Sequence, residues 1–141
     1  MDRDCDFSPK ATADIFPYRF TKLGTAADDT VTQAAANDLT IGISAGGTQA
    51  APGTAGDDGT RAKAGQPCPV YGPGRKCLLD LGTGGAVRGV RLISDANGKG
   101  VAAATTGATI QEVGARALQS GPAGARVLVL VEQYPHRPAL S

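Results

Sequence analysis

The only side chain in this sequence with an ordinary pKa near neutrality is a single histidine, His136. Nucleophilic catalysis by Ser, Thr or Cys needs a base to take the proton, and His136 is the sole imidazole on offer. It stands between Pro135 and Arg137-Pro138, in what reads as a Pro-flanked polar tail. Thiol or zinc chemistry has three candidates, Cys5, Cys68 and Cys77. A structural zinc site needs a fourth ligand, for which the lone His136 lies in that tail, and closely spaced Cys pairs, which the chain lacks. Asp28, Asp29, Asp57 and Asp58 sit in turn-like stretches, where Asp is favoured for its local hydrogen bonds rather than as a paired acid and base. Asp57-Asp58-Gly59 could hold a calcium ion loosely, but the rest of an EF-hand loop is missing. Gly82-Thr83-Gly84-Gly85 suggests a dinucleotide loop, yet Val87 stands where the third glycine belongs and no βαβ unit follows. No Walker loop occurs, and Ser8-Pro9-Lys10 lies in an aperiodic N-terminal stretch. With no activated group, the chain reads as a non-enzyme with no cofactor and no bound metal.

The elements that would position any site must be built from small residues. The 141 residues suit one domain with tails. They include 20 Gly and 9 Pro, three Phe, three Tyr and no Trp. An interior Gly costs a helix about 1 kcal/mol, whereas short strands joined by tight turns tolerate it. The expected fold is therefore mainly β: a small barrel of short antiparallel strands with an extended N-terminal arm. Its core of Val, Leu and Ala is thin, and such a domain gains stability by oligomerising or docking. Net charge is +1, from 14 basic and 13 acidic residues, which argues against a nucleic-acid partner. No apolar run approaches the roughly 20 residues that span a bilayer, and no basic run suggests a membrane surface. The acidic start, Met1 to Asp6, lacks the apolar core of a secretory signal, so synthesis in a cytoplasm is expected. In that compartment a Cys68–Cys77 disulfide is disfavoured, although the Pro/Gly-rich turn between them would permit one.

Residues 1–17 carry no period, and Pro9 and Pro17 break any helix. They read as an arm: either a frayed terminus, or one that orders on a partner through Phe7, Ile15 and Phe16. Deleting such an arm would weaken binding and leave the body folded. The body runs over 18–134. Tyr18–Leu23 alternates as a strand, Val31–Ala35 pairs back, and Leu39, Ile41 and Ile43 mark one face of another strand. Residues 45–67 lack large apolar side chains and read as a long flexible insertion. Gly72-Pro73-Gly74 is a turn. The segment Gly84–Ala104 reads as strand, tight Asn97-Gly98 turn, strand. Ile110–Leu118 is a strand in which Gly114 marks a bulge or a close approach. Arg126–Val131 is apolar on both faces, so it is a central strand or offers one face to an oligomer. Residues 135–141 form a tail whose prolines forbid pairing. The stretch from Leu23 through Val31 to Ile43 is echoed by that from Leu92 through Val101 to Val113, which suggests two related β-hairpin units closing a small barrel.

Several pieces, taken in order, carry a resemblance: Tyr18-Arg19-Phe20-Thr21-Lys22-Leu23-Gly24, Asp29-Thr30-Val31, Ile41-Gly42-Ile43-Ser44, Gly85-Ala86-Val87 through Gly89, Leu92, Ser94-Asp95, Gly98-Lys99, Val101 and Ala103, then Val113-Gly114 with Arg116-Ala117-Leu118, and Gly124 with Val127 and Val129. From about Tyr18 to Val131 the chain resembles the capsid decoration (cement) proteins of tailed bacteriophages. The resemblance implies a small β-rich, β-tulip-like domain. It would bind the outside of the mature head and clamp adjacent major capsid subunits, often as a homotrimer. It implies a place on the outer capsid surface of the virion after synthesis in the host cytoplasm. Phe7, Ile15, Phe16, Tyr18 and Phe20 are the candidate capsid contacts. The alternative is a small β-barrel module that binds a ligand or carbohydrate, against which the scarcity of aromatic rings counts.

Overall fold

The computed structural model describes residues 9–25, 29–46, 59–104 and 109–136. Among them the chain forms ten strands and no helix. They are β1 (Lys10–Ala11), β2 (Phe20–Leu23), β3 (Thr30–Gln33), β4 (Gly42–Ser44), β5 (Val70–Tyr71), β6 (Lys76–Asp80), β7 (Arg91–Ser94), β8 (Gly100–Ala102), β9 (Gln111–Ala117) and β10 (Arg126–His136). The mainly-β expectation holds. The strands form two five-stranded sheets, ordered β1-β3-β2-β4-β5 and β6-β10-β9-β7-β8. Only the β1–β3 pair is parallel.

The two sequence echoes share a topology. β2 and β3 form a hairpin and β4 then pairs with β2; β7 and β8 form a hairpin and β9 then pairs with β7. Gly72-Pro73-Gly74 does not close a hairpin, because β5 and β6 lie in different sheets. Gly74, at φ +89°, donates its N–H to Val131 O at 2.8 Å, so the turn carries the chain from one sheet into the other.

The second sheet curls until its two ends meet. Leu81, just beyond β6, bridges to Gly100 in β8, and Gly82 N–H donates to Gly100 O at 2.8 Å. A side chain at position 100 would come within 2.6 Å of Leu79 Cδ2, so glycine is what lets the ends approach. The closure is barrel-like, but it is made within one sheet, whereas the two hairpin units expected to close a barrel together lie in different sheets.

Period-two alternation sorts the side chains. Phe20, Ile43 and Tyr71 lie across one another on one face of the first sheet and join Leu79, Leu92, Ala115, Val129 and Val131 of the second in a single core. Gly114 in β9 makes room for that contact, since a Cβ there would stand 2.6 Å from both Phe20 Cε1 and Thr40 Oγ1. The expected irregularity lies opposite it, on β10, where the register shifts between Val131 and Tyr134.

The other face of the first sheet is also buried. Val31 and Val70 pack there with Ala11, Ile15, Ala62 and Cys68. This corrects two readings. Residues 10–17 are not an arm, because β1 pairs with β3 and Ile15 exchanges backbone hydrogen bonds with the 61–62 segment. Residues 59–67 are not a loose part of an insertion, because Thr60 and Ala62 are buried beneath that strap. The segment carries no period because the strap is held by backbone bonds and a single large buried apolar side chain, Ile15. Phe7, Cys5, Asp28, Asp57 and Asp58 fall outside the described residues, as does 47–58.

The polar-tail reading is corrected as well. Tyr134, Pro135 and His136 continue β10, paired with Val113, Glu112 and Gln111. β6 has already ended at that level, so β10 has a single neighbour there and the missing N–H of Pro135 breaks no ladder on the far side. Leu39 is exposed rather than sharing the buried face of Ile43. Cys68 and Cys77 are both thiols and lie in separate clusters, Cys68 under the strap and Cys77 in the main core.

Candidate docking surface

In β6, Cys77 and Leu79 face the core, which turns Lys76, Leu78 and Asp80 outward. In β10, Val127, Val129 and Val131 face the core, which turns Arg126, Leu128 and Leu130 outward. The registers then fix the outer surface. Leu78 lies opposite Leu128, Leu130 lies between Lys76 and Arg116, and Arg116 lies opposite Arg91. Leu118 continues the leucine row, donating its N–H to Leu128 O at 2.9 Å. The open face of an antiparallel sheet is ordinarily polar. Here leucines run across the curl, with Leu78 still 38% exposed, between basic side chains. A grouped apolar surface of this kind marks an interaction site.

Two charge clusters border the leucines. At one end, Asp80 accepts from Arg126 Nε at 2.7 Å and lies 3.5 Å from Arg19 Nε. The hydrogen bond it donates to Asp80 holds the Arg126 guanidinium above its ordinary pKa, and the same guanidinium stacks 3.8 Å from the Tyr18 ring centroid. At the other end, Arg116 Nε meets Glu132 Oε2 at 3.3 Å, and the Glu132 charge raises the Arg116 pKa. Tyr134 Oη accepts from Arg91 Nε at 2.9 Å and from Arg116 Nη2 at 3.4 Å.

The sequence-derived contact residues divide sharply. Ile15 and Phe20 are wholly buried, one under the strap and one in the main core, so neither reaches a partner from this fold. Phe16 is exposed, with Arg19 stacked 5.3 Å from its ring. Tyr18, at φ +61°, is half-buried beneath Arg126 at the rim of the leucine face. The fold instead brings Leu78, Leu128, Leu130, Arg91, Arg116 and Tyr134 together on this face, none of them among the sequence-derived candidates. The double-faced apolar run of β10 pointed to Leu128 and Leu130, but the others join them only through strand register.

An open cleft of about 400 Å³ lies where the curled sheet meets itself, lined by Leu81, Gly82, Thr83, Asp95, Asn97, Lys99, Ala123 and Gly124. Its carboxylate is already engaged: Asp95 Oδ1 accepts from Asn97 N–H at 2.8 Å and Lys99 N–H at 2.9 Å, closing the turn. That turn is docked on the first sheet, since Gly98 O accepts from Phe20 N–H at 2.7 Å and Asn97 O accepts from Arg19 and Gln33 at 3.0 Å each. Among the described residues no three His, Cys, Asp or Glu side chains gather as metal ligands, and no helix is long and apolar enough to cross a membrane.

Neither a protein-family model nor a curated protein matches the chain. Among solved structures, the fold is similar to the head fiber gp8.5 N base of bacteriophage phi29, with a TM-score of 0.57 at 16% identity over 92% of this chain and 97% of that one.

Proposed function

We propose that this chain is a structural protein of a bacteriophage virion, seated on the outside of the head by the leucine face of its second sheet. The observation that carries the reading is the fold likeness to a phage head fiber base, which extends over nearly the whole of both chains. The outward Leu78, Leu128 and Leu130 give it a physical basis, because they are apolar area that the monomer leaves in water. On this reading each copy bridges adjacent major capsid subunits. It binds the assembled shell and not free subunits, so it stabilises the shell by mass action. Repetition over the lattice makes weak individual contacts sufficient. Assembly as a homotrimer belongs to the same proposal and would join the thin cores of three copies. A ligand-binding module is the weaker reading, because the cleft at Asp95 and Lys99 is lined by no aromatic ring on which a sugar could stack.

The test is made on purified virions. The chain is quantified against the major capsid protein by gel densitometry, and the recombinant chain is sedimented with stripped heads. Near-stoichiometric presence, with pelleting that restores the heads' resistance to chaotrope, supports the reading. Absence from particles and failure to pellet overturn it.

A further inference from the structure

The Arg91–Arg116 pair is costly as it stands. The two residues are directly opposite on neighbouring strands, where like charges destabilise a sheet. One carboxylate serves the pair: Glu132 takes Nε of Arg116. Arg91 gives Nε to the neutral hydroxyl of Tyr134, and its terminal nitrogens meet no anion among the described residues. Arg116 is further fixed by Nη1 donating to Gly89 O at 3.3 Å. The tyrosine and the Gly89 carbonyl thus hold two guanidiniums side by side without neutralising the second. The turn that supplies the Gly89 carbonyl is itself exposed, with Val87 at 71%.

We propose that Arg91 and Arg116, held by Tyr134, form a clamp for a carboxylate on a partner protein, so that the docking face recognises an acidic surface segment. A planar guanidinium with both terminal nitrogens free matches a carboxylate bidentately, and its partner's side chain supplies the second charge. Charge complementarity selects this occupant. The clamp carries an excess of positive charge beside apolar side chains, whereas the chain as a whole is near neutral at +1, unlike a protein built for nucleic acid. Glu132 inside the cluster suits a single carboxylate better than a continuous polyanion. The proposal names the partner chemistry of the face used in the head reading, but it stands or falls separately.

The experiment is a titration of the full-length chain with a short capped peptide carrying one glutamate, followed by NMR of the backbone amides and arginine Nε–H groups. Arg91→Gln, Arg91→Lys and Lys22→Gln are compared, and matching amide spectra certify the fold. The clamp predicts shifts centred on Arg91, Arg116 and Tyr134, about ten-fold weaker binding for Arg91→Gln, an intermediate loss for Arg91→Lys, and no loss for Lys22→Gln, whose ammonium lies on the first sheet and is already held by Asp38. Shifts spread evenly over the surface, or equal affinity in Arg91→Gln, overturn it. Tighter binding of a DNA oligonucleotide at the same residues overturns the assignment to a protein partner. Self-association abolished by Arg91→Gln overturns it in favour of a second copy. Heads that fail to bind while the peptide footprint appears sink the head reading alone.

Discussion

The two sheets are equal in strand number and differ in how they are covered. The first is enclosed on both sides, by the second sheet and by the strap of residues 9–17 packed with 59–68. The second is covered only on its concave side and presents leucines and arginines outward. The first sheet, with strands of two to four residues, has little area of its own and depends on a cover for each face. The second, anchored by the eleven residues of β10, encloses much of its own core and can leave a face open for binding. Stability thus resides in the contact between the sheets, and the proposed docking face is the side that contact does not use.

Breaking that division begins at the shared core. Phe20→Ala removes the largest wholly buried side chain and should cost about 3–5 kcal/mol in urea unfolding. A cost below 1 kcal/mol would mean the sheets do not depend on each other. Ile15→Ala tests the strap and should cost about 2–5 kcal/mol, because Ile15 is wholly buried in the second cluster. By the same logic, deletion of residues 1–17 should unfold the body rather than merely weaken binding. A truncated chain with unchanged melting would return the segment to the status of an arm.

Gly98→Ala probes the dock between the sheets. The residue sits at φ +79°, and a methyl there meets Phe20 O at 3.2 Å and Gln33 Cγ at 3.0 Å. A loss of about 1–3 kcal/mol in thermal unfolding is expected, and no loss would show the dock to be incidental. A further effect appears only in alkali. Burial pushes the Cys77 thiol from 9.0 up to about 12. The unfolded chain therefore releases this proton first, so the thiol's contribution is fully present below pH 9 and is lost as pH rises from 9 towards 12. Cys77→Ala should flatten that part of the stability profile, and an unchanged slope would refute the burial effect. Leu128→Ser should change stability least, within about 0.5 kcal/mol, yet abolish co-sedimentation with heads. Retained pelleting would remove the leucine face from the docking surface.

Much of the second sheet was legible in the sequence. Asn97-Gly98 between apolar strands marks a hairpin, and the alternation of β6 and β9 marks an inner face. The double-sided run from Val127 to Val131 announced a central strand. Gly114 was legible as a special position, though its bulge lies on the partner strand. The first sheet was less legible. β2, β3 and β4 were legible, but β1 and the burial of the outer face were not, because Ala11, Ile15 and Ala62 are too few and too widely spaced to form a periodic signal. Pro135 and His136 were misread because proline's missing N–H matters only where a second strand would need it, and the end of β6 is a fact of register.

Composition and local pattern alone determined an all-β domain of short strands, because glycine penalises helices and period-two alternation survives in any strand that buries one face. They also determined that no conventional catalytic or metal-binding motif is assembled along the chain. Tertiary structure alone decided which residues remain available to a partner. It buried Phe20 and Ile15, left Leu78 and Leu128 facing water, and placed Arg91 beside Arg116. The physical reason is that exposure and charge proximity depend on strand register and on what covers each sheet, and both are set by contacts between residues far apart in the chain.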